Sequence, residues 1–154
     1  MIEVGKQAPA FSLPNSEGKQ FALKDFKGKP LVLYFYPKDN TPGCTREACD
    51  FRDNFARITA AGAVVLGISA DPPGTHSRFR EKFQLPFERL SDQNYDMLRK
   101  YDVWKEKSLY GRTFLGIVRT TVIVDSRGYV AKLFPKVSVK GHVDEVLEAL
   151  ATIQ

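Results

Sequence analysis

The chain of 154 residues holds two cysteines, Cys44 and Cys49, five positions apart. The first closes the segment Pro37-Lys38-Asp39-Asn40-Thr41-Pro42-Gly43-Cys44. A cysteine reacts as its thiolate, so the question is whether the surroundings favour the anion. Thr41 is a good N-cap and Pro42 a good first helical residue. A helix opening there puts Cys44 in its first turn. Unpaired N–H groups and the positive end of the helix dipole lie there, and both favour negative charge. Gly43 leaves room for a small molecule to reach the sulfur. Cys44 is therefore a candidate nucleophile.

The helical phase separates the two sulfurs. Ala48, Phe51, Phe55 and Ile58 recur at three- and four-residue steps, and Gly62 ends the run. Cys44 belongs to that apolar stripe. Cys49 lies about 140° around the axis and roughly 7.5 Å along it, from 100° and 1.5 Å per residue. The two Cα atoms are then about 8.6 Å apart, beyond the roughly 7 Å limit for a disulfide. A bond between them requires the first turns of the helix to unwind.

The elements that must hold this segment can be read from the periodicity. Leu31 to Tyr36 is a continuous apolar and aromatic run stopped by Pro37, the pattern of a strand buried on both faces. Ala63 to Ile68 reads as a second such strand. Pro9, Pro14, Asn15, Gly18, Gly28 and Pro30 break the first thirty residues into short pieces, which predicts a small hairpin from Phe11–Leu13 and Phe21–Leu23. Thr75 can cap a helix with Phe79 and Phe83 inward, and Ser91 a helix with Met97, Leu98 and Tyr101 inward. Residues 105–117 read as a loop. Thr120–Asp125 and Tyr129–Phe134 are strands joined by the tight turn Ser126-Arg127-Gly128. Val143, Val146, Leu147 and Leu150 mark a C-terminal amphipathic helix. The alternation gives a parallel βαβ core, and the late hairpin adds antiparallel strands. The expected fold is α/β and thioredoxin-like: a mixed central sheet with helices on both faces and an N-terminal hairpin, in one domain over residues 1–154. The turn at 126–128 argues against a flavodoxin-like, fully parallel sheet.

Composition narrows the function classes. Two cysteines exclude a disulfide scaffold and a zinc site made of cysteines alone. His76 and His142 stand at helix starts, far apart in sequence, and read as solvated surface residues. Together with the cysteines they match no common metal spacing, so no metal is expected. The net charge of +5 is spread along the chain with acids interleaved, which disfavours a nucleic-acid groove. No apolar run reaches about 18 residues, so no membrane-spanning helix is expected. The N-terminal residues lack the layout of a signal peptide, which points to the reducing cytoplasm and to redox chemistry for a close cysteine pair. A thiol–disulfide exchanger would favour Cys-x-x-Cys, whereas four residues intervene here. A binding module held at the basic surface is the remaining alternative. Arg119, taken alone, reads as an ordinary charge entering a strand.

The string around the first cysteine resembles that of a known family. Pro37-x-x-x-Thr41-x-x-Cys44 is similar to the active-site motif of peroxiredoxins. The longer string Thr41-Pro42-Gly43-Cys44-Thr45-x-Glu47-Ala48-Cys49-x-Phe51-Arg52-Asp53 resembles the peroxiredoxin Q, or bacterioferritin comigratory protein, group. Gly5-Lys6-x-Ala8-Pro9-x-Phe11-x-Leu13, Leu85-Pro86-Phe87 with Leu90-Ser91-Asp92, and Val103-Trp104-Lys105-Glu106-Lys107 through Arg119-Thr120-Thr121 extend the likeness over nearly the whole chain. Val122 departs from a common Phe, and Pro72-Pro73-Gly74 from a polar helix start.

The resemblance implies a thiol peroxidase for hydrogen peroxide and organic hydroperoxides, without metal or organic cofactor. Cys44 would be the peroxidatic cysteine. Thr41 would bond to thiolate and peroxide, Arg119 would hold the thiolate and polarise the leaving oxygen, and Pro37 would shield the sulfur. Cys49 would be the resolving cysteine, forming an intramolecular disulfide that thioredoxin or a similar dithiol donor reduces. A monomer is the default assembly.

Overall fold

The computed structural model describes residues 2–153. The chain opens with the expected hairpin, β1 (Ser12–Pro14) paired antiparallel with β2 (Gln20–Ala22), followed by a short 3-10 turn at Leu23–Phe26. Then come β3 (Leu31–Phe35), α1 (Pro42–Asp53), α2 (Phe55–Ala60), β4 (Val64–Ser69), α3 (Pro73–Phe83), β5 (Glu88–Ser91) and α4 (Asp96–Lys100). The rest is β6 (Trp104–Leu109), β7 (Arg112–Ile117), β8 (Thr120–Val124), β9 (Val130–Phe134) and α5 (His142–Ala151). Five strands form the central sheet in the order β5-β4-β3-β8-β9. β3, β4 and β5 run parallel, while β8 is antiparallel to both β3 and β9. This is the mixed, thioredoxin-like sheet expected from the sequence.

β3 is wholly buried, and its alternating side chains supply two cores. Leu31, Leu33 and Phe35 join Leu66, Ile68 and the α4 residues Met97 and Leu98. Val32, Tyr34 and Tyr36 join Ala48 and Phe51 of α1, Ile58 of α2, Phe79 of α3 and Val146 of α5. Helices therefore cover both faces. Gly67 lies in register with Tyr34 across the β3–β4 ladder, and the phenol ring occupies the space a side chain there would fill. That ring stacks on Phe51 with centroids 4.7 Å apart, so the strand pair seats α1 directly.

Several expectations are corrected. Residues 105–117 form the β6–β7 hairpin rather than a loop. The strands are largely exposed, with Leu109, Phe114 and Leu115 in solvent, so burial imposes no apolar alternation on them, but Tyr110 and Gly111 both take positive φ, as a two-residue hairpin turn requires. Ser91 ends β5 instead of capping a helix, and the next helix begins at Asp96. The charged start of β5, Glu88-Arg89, masks a strand. The helix starting at Pro42 is broken at Asn54, whose side-chain amide donates to the Asp50 carbonyl at 2.9 Å. α3 starts at Pro73, two residues before the expected cap Thr75.

Candidate active site

The sheet register assembles the site. Phe35, the last residue of β3, pairs with Thr120, the first of β8. The loop that leaves β3 toward α1 therefore meets the segment that enters β8, and Arg119 lies in that segment. Pro37 sits at a half-buried bend one residue past Tyr36. Thr41 is the N-cap residue of α1, and its carbonyl accepts the first helical bond from Thr45 N–H at 2.8 Å. Its side chain does not cap the helix. The hydroxyl turns back and donates to the Lys38 carbonyl at 2.8 Å, closing the loop on itself. Pro42 at the first helical position supplies fixed φ and no superfluous donor.

Cys44 is 1% exposed, in the first turn of α1. Arg119 bridges two groups of that helix: Nη2 donates to Cys44 Sγ at 3.3 Å and Nη1 donates to Glu47 Oε1 at 2.6 Å. A Cβ at Gly43 would stand 3.2 Å from Arg119 Nη2, so glycine keeps the guanidinium's path to the sulfur open. The guanidinium therefore donates to a sulfur that lies in the first turn of α1, at the positive end of the helix dipole. Burial works against the charge on Arg119, but the neighbouring Glu47 and Cys44 more than offset it and hold its pKa above the ordinary arginine value.

Glu47, to which the sequence alone assigns no role, completes the arrangement. It is 1% exposed, and burial pushes its carboxyl up to about 7 despite the opposing pull of Arg119. Oε2 has no hydrogen-bond partner among the described residues. The carboxyl thus exchanges its proton near neutrality, beside the guanidinium that touches the sulfur. One signal was available: Glu47 sits within a helix face otherwise made of Cys44, Ala48 and Phe51, where a charge needs a buried partner.

Cys49 lies on the same helix, half-buried, and both cysteines are free thiols. Intact helix geometry keeps them about 8.6 Å apart at Cα, as the spacing requires.

The two histidines correct the sequence reading, because both are buried. His142 accepts from the Thr121 hydroxyl at Nε2 (2.7 Å) and donates from Nδ1 to Glu145 Oε1 (3.1 Å), an arrangement that suits the neutral ring. Burial lowers its pKa from the usual value, consistent with that role of tying α5 to β8. His76 joins Asp39 and Asp71, whose donor atoms and its own lie within 4.8 Å of one another. Those atoms are engaged already. Asp39 meets His76 and Arg89, and Asp71 Oδ2 accepts from the Asp39 N–H and the Ser69 hydroxyl. With Arg89 inside the group, the set is a hydrogen-bonded charge network, poorly suited to a further cation.

Comparison with known proteins gives the family of the chain. Residues 4–133 match the family model described as the AhpC/TSA family. Peroxiredoxin Bcp of Bacillus subtilis is 46% identical over 149 residues, covering 97% of this chain and 95% of the relative. Peroxiredoxin Bcp of Escherichia coli is 44% identical over 149 residues, covering 97% and 96%. A solved structure of the Xanthomonas campestris bacterioferritin comigratory protein, studied for alkyl peroxide reduction, superposes with a TM-score of 0.90 at 40% identity, covering 97% of this chain and 98% of that one. The mixed sheet and these full-length likenesses lead to one conclusion: the chain belongs to the AhpC/TSA family, as a peroxiredoxin of the Bcp and peroxiredoxin Q kind.

Proposed function

We propose that this thiol peroxidase works through Cys44 as the attacking sulfur and Cys49 as the resolver. The observation that carries the reading is the Arg119 guanidinium on Cys44 Sγ at the start of α1. The Cys44 thiolate attacks one oxygen of a hydroperoxide, forming an S–O bond as the O–O bond breaks. The departing alkoxide or hydroxide takes a proton and leaves as alcohol or water, and Cys44 is left as a sulfenic acid. Negative charge develops on that departing oxygen. Fixed donors already in place, the Arg119 fork and the first-turn N–H groups, lower the barrier. The Thr41 hydroxyl, one loop turn away, supplies a further donor once it leaves the Lys38 carbonyl. Pro37, at the bend before the loop, screens the sulfur from bulk water.

Resolution needs movement. The first turns of α1 unwind, the Cys49 thiolate attacks the Cys44 sulfur, an S–S bond forms, and the S–O bond breaks to release water. A dithiol donor of the thioredoxin type then returns both sulfurs to thiols by taking up the disulfide itself. The cycle uses no metal or organic cofactor. It needs a reducing compartment, for which the cytoplasm is the natural setting, and one chain suffices, so a monomer can run it.

Two substitutions test the cycle. Cys44→Ser abolishes peroxide consumption. Cys49→Ser keeps the first turnover, read as one equivalent of sulfenic acid, but stops cycling with thioredoxin. Undiminished cycling in the second variant would mean that an external thiol resolves Cys44.

A further inference from the structure

The loop between β3 and α1 carries Pro37 and Thr41, and at its centre stands a charged residue with no part in the cycle above. The Asp39 side chain is fully buried. Oδ2 accepts from His76 Nδ1 of α3 at 2.7 Å, and Oδ1 accepts from Arg89 Nη2 of β5. The Asp39 backbone N–H donates to Asp71 Oδ2, just past β4, at 2.7 Å. His76 Nε2 in turn lies 3.1 Å from the Leu90 carbonyl. The Arg89 guanidinium packs between the rings of Tyr36 and Phe79, 4.5 and 4.4 Å from their centroids. Burial alone would push the Asp39 carboxyl up, but His76 and Arg89 overcome it and hold the group below the ordinary aspartate value.

Stability alone is a weak reason for such a network, since buried ion pairs often do no better than apolar packing. Its placement gives it another use. Three anchors, in α3, in β5 and after β4, grip one residue of the loop 37–41. Asn40, next to it, turns the chain with a left-handed φ of 62°, a conformation asparagine accepts more readily than most residues. Pro42 and the first turn of α1 follow at once. The same turn must stay wound for Cys44 to attack and must unwind for Cys44 to meet Cys49.

We propose that Asp39, His76 and Arg89 are positioning residues that clamp loop 37–41, favouring the wound, attacking form of α1 and restraining the unwinding that forms the disulfide. The proposal rests on the Cys44–Cys49 cycle above. A looser loop then moves two steps in opposite directions. Peroxide attack slows, because Thr41 and the first-turn N–H groups spend less time in place. Disulfide formation speeds up, because the helix start frays more readily.

The test is a single-turnover rapid quench of the reduced protein with hydrogen peroxide, with mass spectrometry reading Cys44 sulfenic acid and the disulfide separately. Asp39→Asn keeps the size and removes the charge. It slows attack and accelerates disulfide formation, each by about fivefold or more, a conservative share of what one charge-assisted hydrogen bond is worth. His76→Gln keeps a donor toward Asp39 and leaves Arg89 in place. It gives the same two signs at smaller size, and decides the matter if Asp39→Asn does not fold. A merely structural role would lower the urea midpoint while leaving the ratio of the two rates unchanged. That result, or both rates shifting by one common factor, overturns the clamp alone. A wild type that forms no Cys44–Cys49 disulfide overturns the cycle and the clamp together.

Discussion

Replacing Glu47 with Gln changes how the stability of the fold depends on pH. In the folded protein the Glu47 carboxyl protonates at about 7, and the ordinary value is 4.5. Burial is the cause, and the Arg119 charge recovers only part of it. Below pH 4.5 both folded and unfolded chains hold this proton, so it adds no pH dependence. Between 4.5 and 7 only the folded chain holds it, so stability falls as pH rises, by about 1.4 kcal/mol per unit. Across that window the loss sums to about 3 kcal/mol, and above 7 the difference is constant. The substituted glutamine carries no titrating proton and keeps a carbonyl oxygen for Arg119. Urea unfolding of wild type and Glu47→Gln, under reducing conditions from about pH 4 to 8, measures the difference. His142 and Asp39 titrate in both proteins and cancel. The stability of wild type relative to the variant declines by about 3 kcal/mol from pH 4.5 to 7 and is flat on either side. A flat difference throughout, or one that rises with pH, would refute the reasoning. It would mean that Arg119 stabilises the carboxylate at least as much as burial penalises it.

Two more substitutions probe the geometry. Arg119→Lys replaces a two-pronged donor by a single ammonium that cannot serve Cys44 and Glu47 together, and the second-order rate constant for peroxide falls by about a hundredfold while far-UV circular dichroism is unchanged. Gly67→Ala places a Cβ 2.7 Å from Cζ of the buried Tyr34 ring, and the forced shift destabilises the fold by about 1–3 kcal/mol, read as a lowered urea midpoint.

The parts of the site that lie close in sequence are legible from the residues alone. Thr41, Pro42, Gly43 and Cys44 announce a helix start with a thiol in its first turn, because caps and dipoles act over a few residues. β3 and β4 announce themselves by uninterrupted apolar runs, as strands buried on both faces do. β5 and the β6–β7 hairpin escape notice for the complementary reason. One begins with two charges whose burial only distant partners explain, and the other faces solvent and has no apolar period to read. His76 and His142 mislead in the same way. A histidine at a helix start is buried or exposed according to what packs over it, and Asp39, Tyr36 and Leu90 for one, Thr121 and Phe134 for the other, come from other elements.

The sequence by itself determined the thiol at a helix start, the helix that carries it, and the fact that two sulfurs five residues apart cannot bond while that helix is intact. Those are consequences of local geometry, fixed once the helix forms. The resemblance implied Arg119, but only the tertiary structure brought it to the sulfur and set Glu47 beside it. Arg119 reaches Cys44 from 75 residues away because β3 and β8 pair in one register, and Glu47 becomes a titrating group near neutrality because that packing buries it. Position along the chain sets which groups exist. Burial and distance set their charge, and both belong to the folded state.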